Sequence, residues 1–182
     1  NLTAGVLSCW MGLPIEGLIA ATNVNDIVPN YIYTGTFQPR PSLATLSNAM
    51  DVGNPSNFPR LLNLCNNSHT DLRRLIDGAA FSDEEMLDGI RKLYADYQYV
   101  ADPHGAIGFL GLEMLGGNRD KYCHIFLETA HPAKFPDVVF KALNREPDVP
   151  KQFENLMNKK GSAVQIEANY EILRDWLLKD FG

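Results

Sequence analysis

Short apolar segments of strand character alternate along this chain with segments that repeat at helical spacing, and this alternation constrains the fold more than any other feature of the sequence. Three segments are predicted to be strands: residues 16–22, 97–101 and 122–128. The predicted helices cover residues 1–11, 23–35, 82–97, 104–115, 137–143, 151–158 and 172–177. Strands that alternate with helices of this length favour a parallel sheet with right-handed crossovers. The predicted fold class is therefore α/β, with an open, mainly parallel sheet flanked by helices.

The helix predicted at residues 104–115 is apolar on nearly every face, so we expect it to be buried. It contains three glycines spaced by three residues, Gly105, Gly108 and Gly111. Each glycine lowers helix stability by about 1 kcal/mol relative to alanine, so the glycine face is predicted to pack closely against a sheet. Asp102 and Pro103 are favourable residues for the start of this helix, and Gly116 and Gly117 are predicted to end it.

Charge and composition exclude several classes of partner. The 182-residue chain carries a formal net charge of −6 and has no cluster of Lys and Arg, which argues against a nucleic-acid groove. It has no apolar run of about 18 residues and no charged-then-apolar leader, so neither a membrane span nor a signal peptide is predicted. We expect a soluble, cytoplasmic protein that binds a small molecule.

The three cysteines give no sign of a metal site or of a disulfide framework. Cys9, Cys65 and Cys123 are an odd number without CxxC spacing, a pattern typical of reduced thiols packed in a core. Cys123 lies beside His124, but neighbours in a strand point to opposite faces and could not share one metal ion. The sequence therefore predicts no metal site, and these two residues are expected to be packed in the core.

The fold class predicts where a ligand would bind, because ligands of open α/β sheets lie outside the carboxyl ends of the strands. Three segments satisfy this condition: residues 22–26, 102–105 and 129–134. Thr129 follows a predicted strand, so its hydroxyl could meet a ligand or could instead bond its own turn. His131 could be a general base or a structural residue of a proline turn. Lys134 could bind a phosphate or be solvated.

A second unusual segment is the loop DVGNPSN, residues 51–57. Its glycine and proline enforce an irregular backbone, and its small and amide side chains leave backbone donors available to an anionic or planar ligand. Equally, Asn57 could simply cap a helix that begins near Phe58. The chain contains no GxSxG, GxxxxGK[ST], HExxH or GxGxxG motif. The pattern of residues alone thus leaves an α/β domain that could bind a small anion.

Five motifs, in the same order along the chain, resemble the C-terminal part of the threonine synthase family. They are NLTAG at residues 1–5, AATNVND at 20–26, TLSNAMDVGNPSN at 45–57, DPHGA at 102–106 and ETAHPAKF at 128–135. The resemblance covers nearly the whole chain. It implies a fold type II enzyme that uses pyridoxal 5'-phosphate (PLP), and the reaction implied is the conversion of O-phospho-L-homoserine and water to L-threonine and phosphate.

The resemblance also implies roles for particular residues. Thr129 would face the pyridine nitrogen of the cofactor, and Asn1 with the first amides of its helix would complete the phosphate cradle. The loop would lie against the ring and the substrate, with two cofactor-binding residues, Val52 and Gly53. Four residues of this loop would bind the substrate: Asp51, Asn54, Ser56 and Asn57. No role is assigned to His104, His131 or Lys134.

The chain departs from the family in one respect. Members of the family carry a Schiff-base lysine in an SFKD-type segment and a glycine-rich phosphate turn before NLTAG, and neither is present here. We therefore expect residues 1–182 to be the C-terminal portion of the PLP-binding catalytic region, without catalytic residues of its own, inactive alone and prone to self-association. A related phospholyase that forms 2-oxobutyrate, or an inactive structural or partner-binding half-domain, remains an alternative.

Overall fold

A computed structural model describes residues 1–114, 121–157, 159, 161 and 163–181. The chain divides into two compact units, Asn1–Asp148 and Val149–Gly182. The first unit contains the two strands β1 (Leu18–Thr22) and β2 (Ile76–Ala80). Its helices are α1 (Leu2–Trp10), α2 (Ile27–Thr34), α3 (Phe58–Leu64), α4 (His69–Leu75), α5 (Asp83–Tyr97), α6 (Pro103–Met114) and α7 (Pro136–Leu143).

The two strands pair in parallel, from Leu18 opposite Ile76 to Thr22 opposite Ala80. Successive side chains of a strand point to opposite faces, so β1 divides the core. Ile19 and Ala21 pack on the face covered by α5, α6 and α7. Leu18 and Ala20 pack on the other face, with the apolar side chains of α1 to α4. Helices thus cover both faces of a small parallel sheet, and the predicted α/β class is confirmed.

One of the three glycines of the buried helix α6 packs against the sheet as predicted, whereas the other two face the irregular segment 123–129. A Cβ at Gly111 would lie 3.0 Å from Ala21 Cβ, so this glycine lets the helix approach β1 closely. Gly108 faces Phe126, and Gly105 faces the carboxyl group of Glu128. The predicted ends at Gly116 and Gly117 lie outside the described residues.

The helix α5, predicted at residues 82–97, begins at a capping box. Ser82 Oγ accepts a hydrogen bond from the Glu85 N–H, and Glu85 Oε2 accepts one from the Ser82 N–H. These two bonds satisfy amide groups that the first turn of a helix leaves without partners. They fix the start of α5 three residues beyond the end of β2.

Two of the three predicted strands are wrong. Residues 98–102, which follow α5, are irregular, and so are residues 123–129. A strand needs a neighbour with free backbone groups, whereas the second segment lies beside α6, with Phe126 close to Gly108. Cys123 in this segment is exposed, so the prediction that it is packed in the core is also wrong.

The sequence analysis missed β2, whose sequence IDGAA lacks the usual strand composition. Gly78 lies where α2 crosses the sheet, and a Cβ there would come 2.8 Å from Pro29 Cα. Close approach of a helix therefore explains this glycine, although glycine normally weakens a strand.

The second unit contains α8 (Lys151–Met157) and α9 (Tyr170–Phe181). The described part of α9 exposes much of its apolar surface, including Tyr170 and Leu178, whose exposed fractions are 73% and 65%. In the described part of the chain, no helix is both long and apolar enough to cross a bilayer.

Candidate functional site

A network of amide side chains lies directly after β1. Asn23 is buried, and its Nδ2 donates hydrogen bonds to Asp51 Oδ1 and to Thr45 Oγ1, both at 2.8 Å. Asn25 is also buried, and its Nδ2 donates to Asn23 Oδ1 and to the Leu43 carbonyl, both at 2.9 Å. Its Oδ1 accepts from the Leu43 N–H at 2.8 Å. The end of β1 is therefore bound to the loop that contains Asp51.

The same loop is closed on itself by Asp51 and Gly53. Asp51 Oδ1 and Oδ2 accept hydrogen bonds from Thr45 Oγ1 and from the Thr45 N–H, at 2.7 and 3.0 Å. Gly53 N–H donates to Ser42 Oγ and its carbonyl accepts from the Arg40 N–H, both at 2.9 Å. A Cβ at Gly53 would overlap the Arg40 carbonyl oxygen, so the position requires glycine. These contacts give residues 40–57, hereafter the polar loop, a defined shape.

Two further contacts extend the polar loop to β2 and α6. The Leu46 N–H donates to Asp83 Oδ1 at 3.1 Å, and Asp83 opens α5 shortly after β2 ends. The Ala49 N–H donates to His104 Nε2 at 3.1 Å. The polar loop thus lies at the carboxyl ends of both parallel strands, which is where the fold class predicts a ligand site.

A buried acidic cluster continues from His104. Because Nε2 accepts from the Ala49 N–H, the ring hydrogen lies on Nδ1, which donates to Asp102 Oδ1 at 2.7 Å. Asp102 Oδ1 also accepts from the His104 N–H at 2.7 Å, and the Asp102 N–H donates to Glu128 Oε1 at 2.8 Å. The two remaining oxygens, Asp102 Oδ2 and Glu128 Oε2, are buried and have no hydrogen-bond partner within the described residues.

The two carboxyl groups of this cluster have opposite pKa shifts. Burial raises the pKa of Glu128 to about 7, and the nearby Asp102 charge adds to the shift although the Asp102 N–H opposes it. Burial would also raise the pKa of Asp102, but its hydrogen bonds with His104 outweigh this effect and hold the pKa below its usual value. Tyr99 has a raised pKa because it is partly buried and lies near both carboxyl groups.

The structure links the first two segments that the sequence selects and reaches the residue before the third, although the predicted strands before the second and third segments are irregular. Hydrogen bonds lead from Asn23 through the polar loop to His104, and from there through Asp102 to Glu128, the residue before Thr129. The Thr129 side chain is exposed, and no hydrogen bond from its hydroxyl is found within the described part of the chain.

The other predicted site residues fall into two groups. Four residues of the polar loop are exposed: Val52, Asn54, Ser56 and Asn57. Asp51 and Gly53, in contrast, make the internal contacts given above. Asn1 is exposed at the start of α1 and makes no side-chain cap hydrogen bond. His131 Nδ1 accepts from the Ala133 N–H at 3.1 Å, which favours the structural interpretation of this histidine.

Sequence reasoning missed the roles of Asn23, Asp102 and Glu128. The sequence contained a signal for the two acids, because Asp102 and Glu128 each lie at the end of an apolar segment, and a carboxylate is buried only when it has hydrogen-bond partners.

The structure also contains a cavity of about 570 Å³ between α5, α6 and residues 122–126, lined by aromatic side chains such as Tyr99, Phe109 and Phe126. Within the described residues, no cluster of three or more His, Cys, Asp or Glu side chains could hold a metal ion.

Comparison with known proteins finds matches to threonine synthases. A family model for the C-terminal region of threonine synthase matches residues 106–176. A threonine synthase from Serratia marcescens is 43% identical over 186 residues, which cover 100% of this chain and 39% of that protein.

Two solved structures have the same fold over nearly the whole chain. Threonine synthase from Escherichia coli matches with a TM-score of 0.88 and 36% identity, over 98% of this chain and 41% of that one. PLP-bound threonine synthase from Brucella melitensis matches with a TM-score of 0.79 and 31% identity, over 96% of this chain and 42% of that one. The chain thus spans about two fifths of the length of these relatives. By sequence and by fold, the chain is therefore similar to the C-terminal region of threonine synthases.

Proposed function

We propose that this chain forms the C-terminal portion of the catalytic region of a PLP-dependent threonine synthase. The enzyme would convert O-phospho-L-homoserine and water into L-threonine and phosphate, in the cytoplasm, as a step of threonine biosynthesis. The observation that carries the proposal is the match over 98% of the chain to a threonine synthase structure. The hydrogen bonds that lead from the end of β1 through the polar loop to the buried acidic cluster support it, because the polar loop lies at the carboxyl ends of the parallel strands, where this fold binds ligands.

The residues at this site suit PLP. Thr129 presents an exposed, neutral hydroxyl next to the anchored Glu128, so it could bond the pyridine nitrogen. When bound, PLP supplies the electron sink for the substrate carbanion. A hydroxyl holds the pyridine nitrogen protonated less strongly than a carboxylate would, which suits a reaction that directs electrons toward elimination of phosphate.

Asn1 and the first N–H groups of α1 would bind the cofactor phosphate. A helix start presents unpaired N–H groups and a favourable dipole to an anion. The Asn1 side chain makes no cap bond within α1, so it is available to the same anion.

The polar loop would lie against the cofactor ring and the substrate. Its exposed residues, Val52, Asn54, Ser56 and Asn57, are available for contact. Asp51 and Gly53 would act by holding the shape of the loop, since their polar groups already bond inside it. An anchored loop loses less conformational entropy on binding, which favours tight binding of a small anionic substrate.

We also propose that residues outside this chain supply the lysine that binds PLP covalently. None of the eight lysines of this chain lies in an SFKD-type segment, the context that the resemblance implies for this lysine. A polypeptide limited to these residues would then have no synthase activity. It would also self-associate, because Trp10, Met11 and Leu13 are exposed; light scattering tests this.

The proposed function is tested by incubating the protein at its natural length with O-phospho-L-homoserine and identifying the carbon product. We expect threonine and phosphate in equal amounts. The Thr129→Ala variant should lose at least about tenfold in kcat, because the ring nitrogen loses its partner. Thr70→Ala is a matched control, since Thr70 is exposed on α4. A 2-oxo acid as the product would contradict the proposal and indicate a phospholyase.

A further inference from the structure

We propose that Glu128 is a positioning residue, whose carboxyl group carries a proton on Oε2, donates it to Asp102 Oδ2, and thereby fixes the backbone of Thr129. The consequence for the cofactor rests on the proposed function of Thr129. The shared proton does not depend on that function, because the side chains of Asp102 and Glu128 lie within hydrogen-bond reach of each other in the buried cluster.

The first argument is the pair of buried oxygens without partners. Asp102 Oδ2 and Glu128 Oε2 are both inaccessible to solvent, and both would be left as unsatisfied acceptors if the two groups were ionised. A buried polar atom without a partner destabilises the folded state by about 1–3 kcal/mol, and such atoms are rare. One proton between the two oxygens turns two unsatisfied acceptors into one strong hydrogen bond.

The second argument identifies which group carries the proton. Asp102 Oδ1 accepts from the His104 ring and from the His104 N–H, and these two bonds stabilise the charged form of Asp102. Within the described residues, the Glu128 carboxyl group accepts only the Asp102 N–H, and it faces the negative charge of Asp102. Burial raises the pKa of Glu128 to about 7, whereas that of Asp102 is held low. The proton therefore resides on Glu128.

The third argument is that the surroundings leave room for this carboxyl group and provide no competing cation. Gly105 faces Glu128 Oε2, and any side chain at this position would overlap the carboxyl group. The titratable groups near Glu128 are Asp102, the Tyr99 hydroxyl and, through Asp102, the His104 ring. Within the described residues, no Lys or Arg lies close enough to take the place of this proton as the partner of the buried oxygen.

The shared proton connects Thr129 to the rest of the site. With the proton present, Glu128 is bound to Asp102 through both oxygens, so the backbone that leads into Thr129 is fixed. When the proton leaves to solvent, two buried carboxylates face each other, and the Glu128 side chain is expected to move away. The Thr129 hydroxyl would then be held less firmly.

Thermal unfolding of the apoprotein at its natural length tests the shared proton without reference to activity. A group with a raised pKa in the folded state stabilises below its unfolded pKa, and this stabilisation is lost as pH rises through the folded value. The wild-type Tm should therefore fall by several degrees more than that of Glu128→Gln between about pH 5 and pH 8. The glutamine amide keeps a donor toward Asp102 and cannot ionise. Glu84→Gln, at an exposed position on α5, is the control and should follow the wild type.

A second measurement needs no variant and so does not depend on whether the substitution folds. Infrared difference spectra of the wild-type apoprotein between pH 5 and pH 8 should show a buried carboxylic acid band that disappears with a midpoint near pH 7. Lack of such a band, with equal Tm profiles for the wild type and Glu128→Gln, would overturn the proposal.

The positioning role has its own measurement, the pH dependence of PLP affinity. The wild type should bind PLP more weakly above about pH 7, and Glu128→Gln should remove this dependence while Glu84→Gln keeps it. A Glu128→Gln protein with the wild-type pH profile of PLP affinity would overturn the positioning role. The shared proton could then still be judged from the infrared band, and the proposed function from the carbon product.

Discussion

The two halves of the hydrogen-bonded site are built from different chemistry. The amide half joins Asn23, Asn25 and Asp51, and every polar atom of its buried amides has a partner. The acid half joins Asp102 and Glu128 and leaves two buried oxygens without a hydrogen-bond partner in the described part of the chain. An amide cannot change its charge with pH, whereas a carboxyl group in a buried site can. We therefore expect the amide half to hold its geometry at all physiological pH values and the acid half to respond to pH.

The largest effect is expected when the amide half is converted to the chemistry of the acid half. Asn23→Asp would place a buried carboxylate where Nδ2 now donates to Asp51 Oδ1 at 2.8 Å. Like charges at this distance, together with the lost donor, should lower the free energy of unfolding by about 3 kcal/mol or more at pH 7. Burial and the Asp51 charge would raise the pKa of the new group, so stability should be regained as pH falls. Urea unfolding at pH 5 and pH 8 measures this.

The control for this substitution is Asn63→Asp on the exposed surface of α3. It adds the same charge without burial and should change the free energy of unfolding by less than about 0.5 kcal/mol at either pH. Equal losses for the two variants would contradict the idea that burial in the amide half determines the effect.

A smaller loss is expected when the acid half is disturbed sterically. Gly105→Ala places a methyl group where Glu128 Oε2 now lies, so the carboxyl group must leave Asp102. Alanine favours the helix by about 1 kcal/mol, but the lost hydrogen bond should outweigh it and give a net loss of about 1–2 kcal/mol. Gly108→Ala, one turn along α6, meets Phe126 at an ordinary 3.4 Å and should be neutral or slightly stabilising. Urea unfolding of both variants separates the two cases, and equal stabilities would contradict this prediction.

The smallest effect concerns the bond that joins the two halves. His104→Asn keeps a donor toward Asp102 but removes the acceptor that the Ala49 N–H uses. The expected loss of stability is about 1 kcal/mol, with faster hydrogen exchange of the exposed Ala49 amide and no change at the Asn25 amide. His104→Gln, which can supply an acceptor at the position of Nε2, should restore part of the protection of Ala49. Unchanged exchange in His104→Asn would show that this bond does not hold the polar loop.

Local signals in the sequence predict most of the helices. The capping box at Ser82 and the favourable start at Asp102 depend only on near neighbours, so α5 and α6 are predicted to within a few residues. The strands are predicted less well, because pairing depends on remote segments. Residues 123–129 have apolar strand-like composition but lie beside a helix, whereas β2 pairs despite its glycine.

Dependence on remote contacts also limits which features of the site the sequence can predict. The rule for strand ends selects residues 22–26 at the end of β1. The other two selected segments follow predicted strands that the structure shows as irregular. The rule cannot select the bond from Asn23 to Asp51 or the pair of Asp102 and Glu128, because these contacts join residues far apart in the chain. The role of Asp51 as an internal anchor was therefore not predicted, and the cofactor role of Thr129 stays a prediction.

The parallel pairing of β1 with β2 has a consequence for the order of folding. The two strands are separated in the sequence by α2, α3 and α4, so they can pair only after a long loop has closed. By contrast, α5 and α6 are adjacent in the chain and form contacts of low sequence separation. We expect the α5–α6 pair to be structured in the folding transition state and the sheet to form later. The polar loop, which depends on both strand ends, would be the last part to acquire its native structure and the first to lose it.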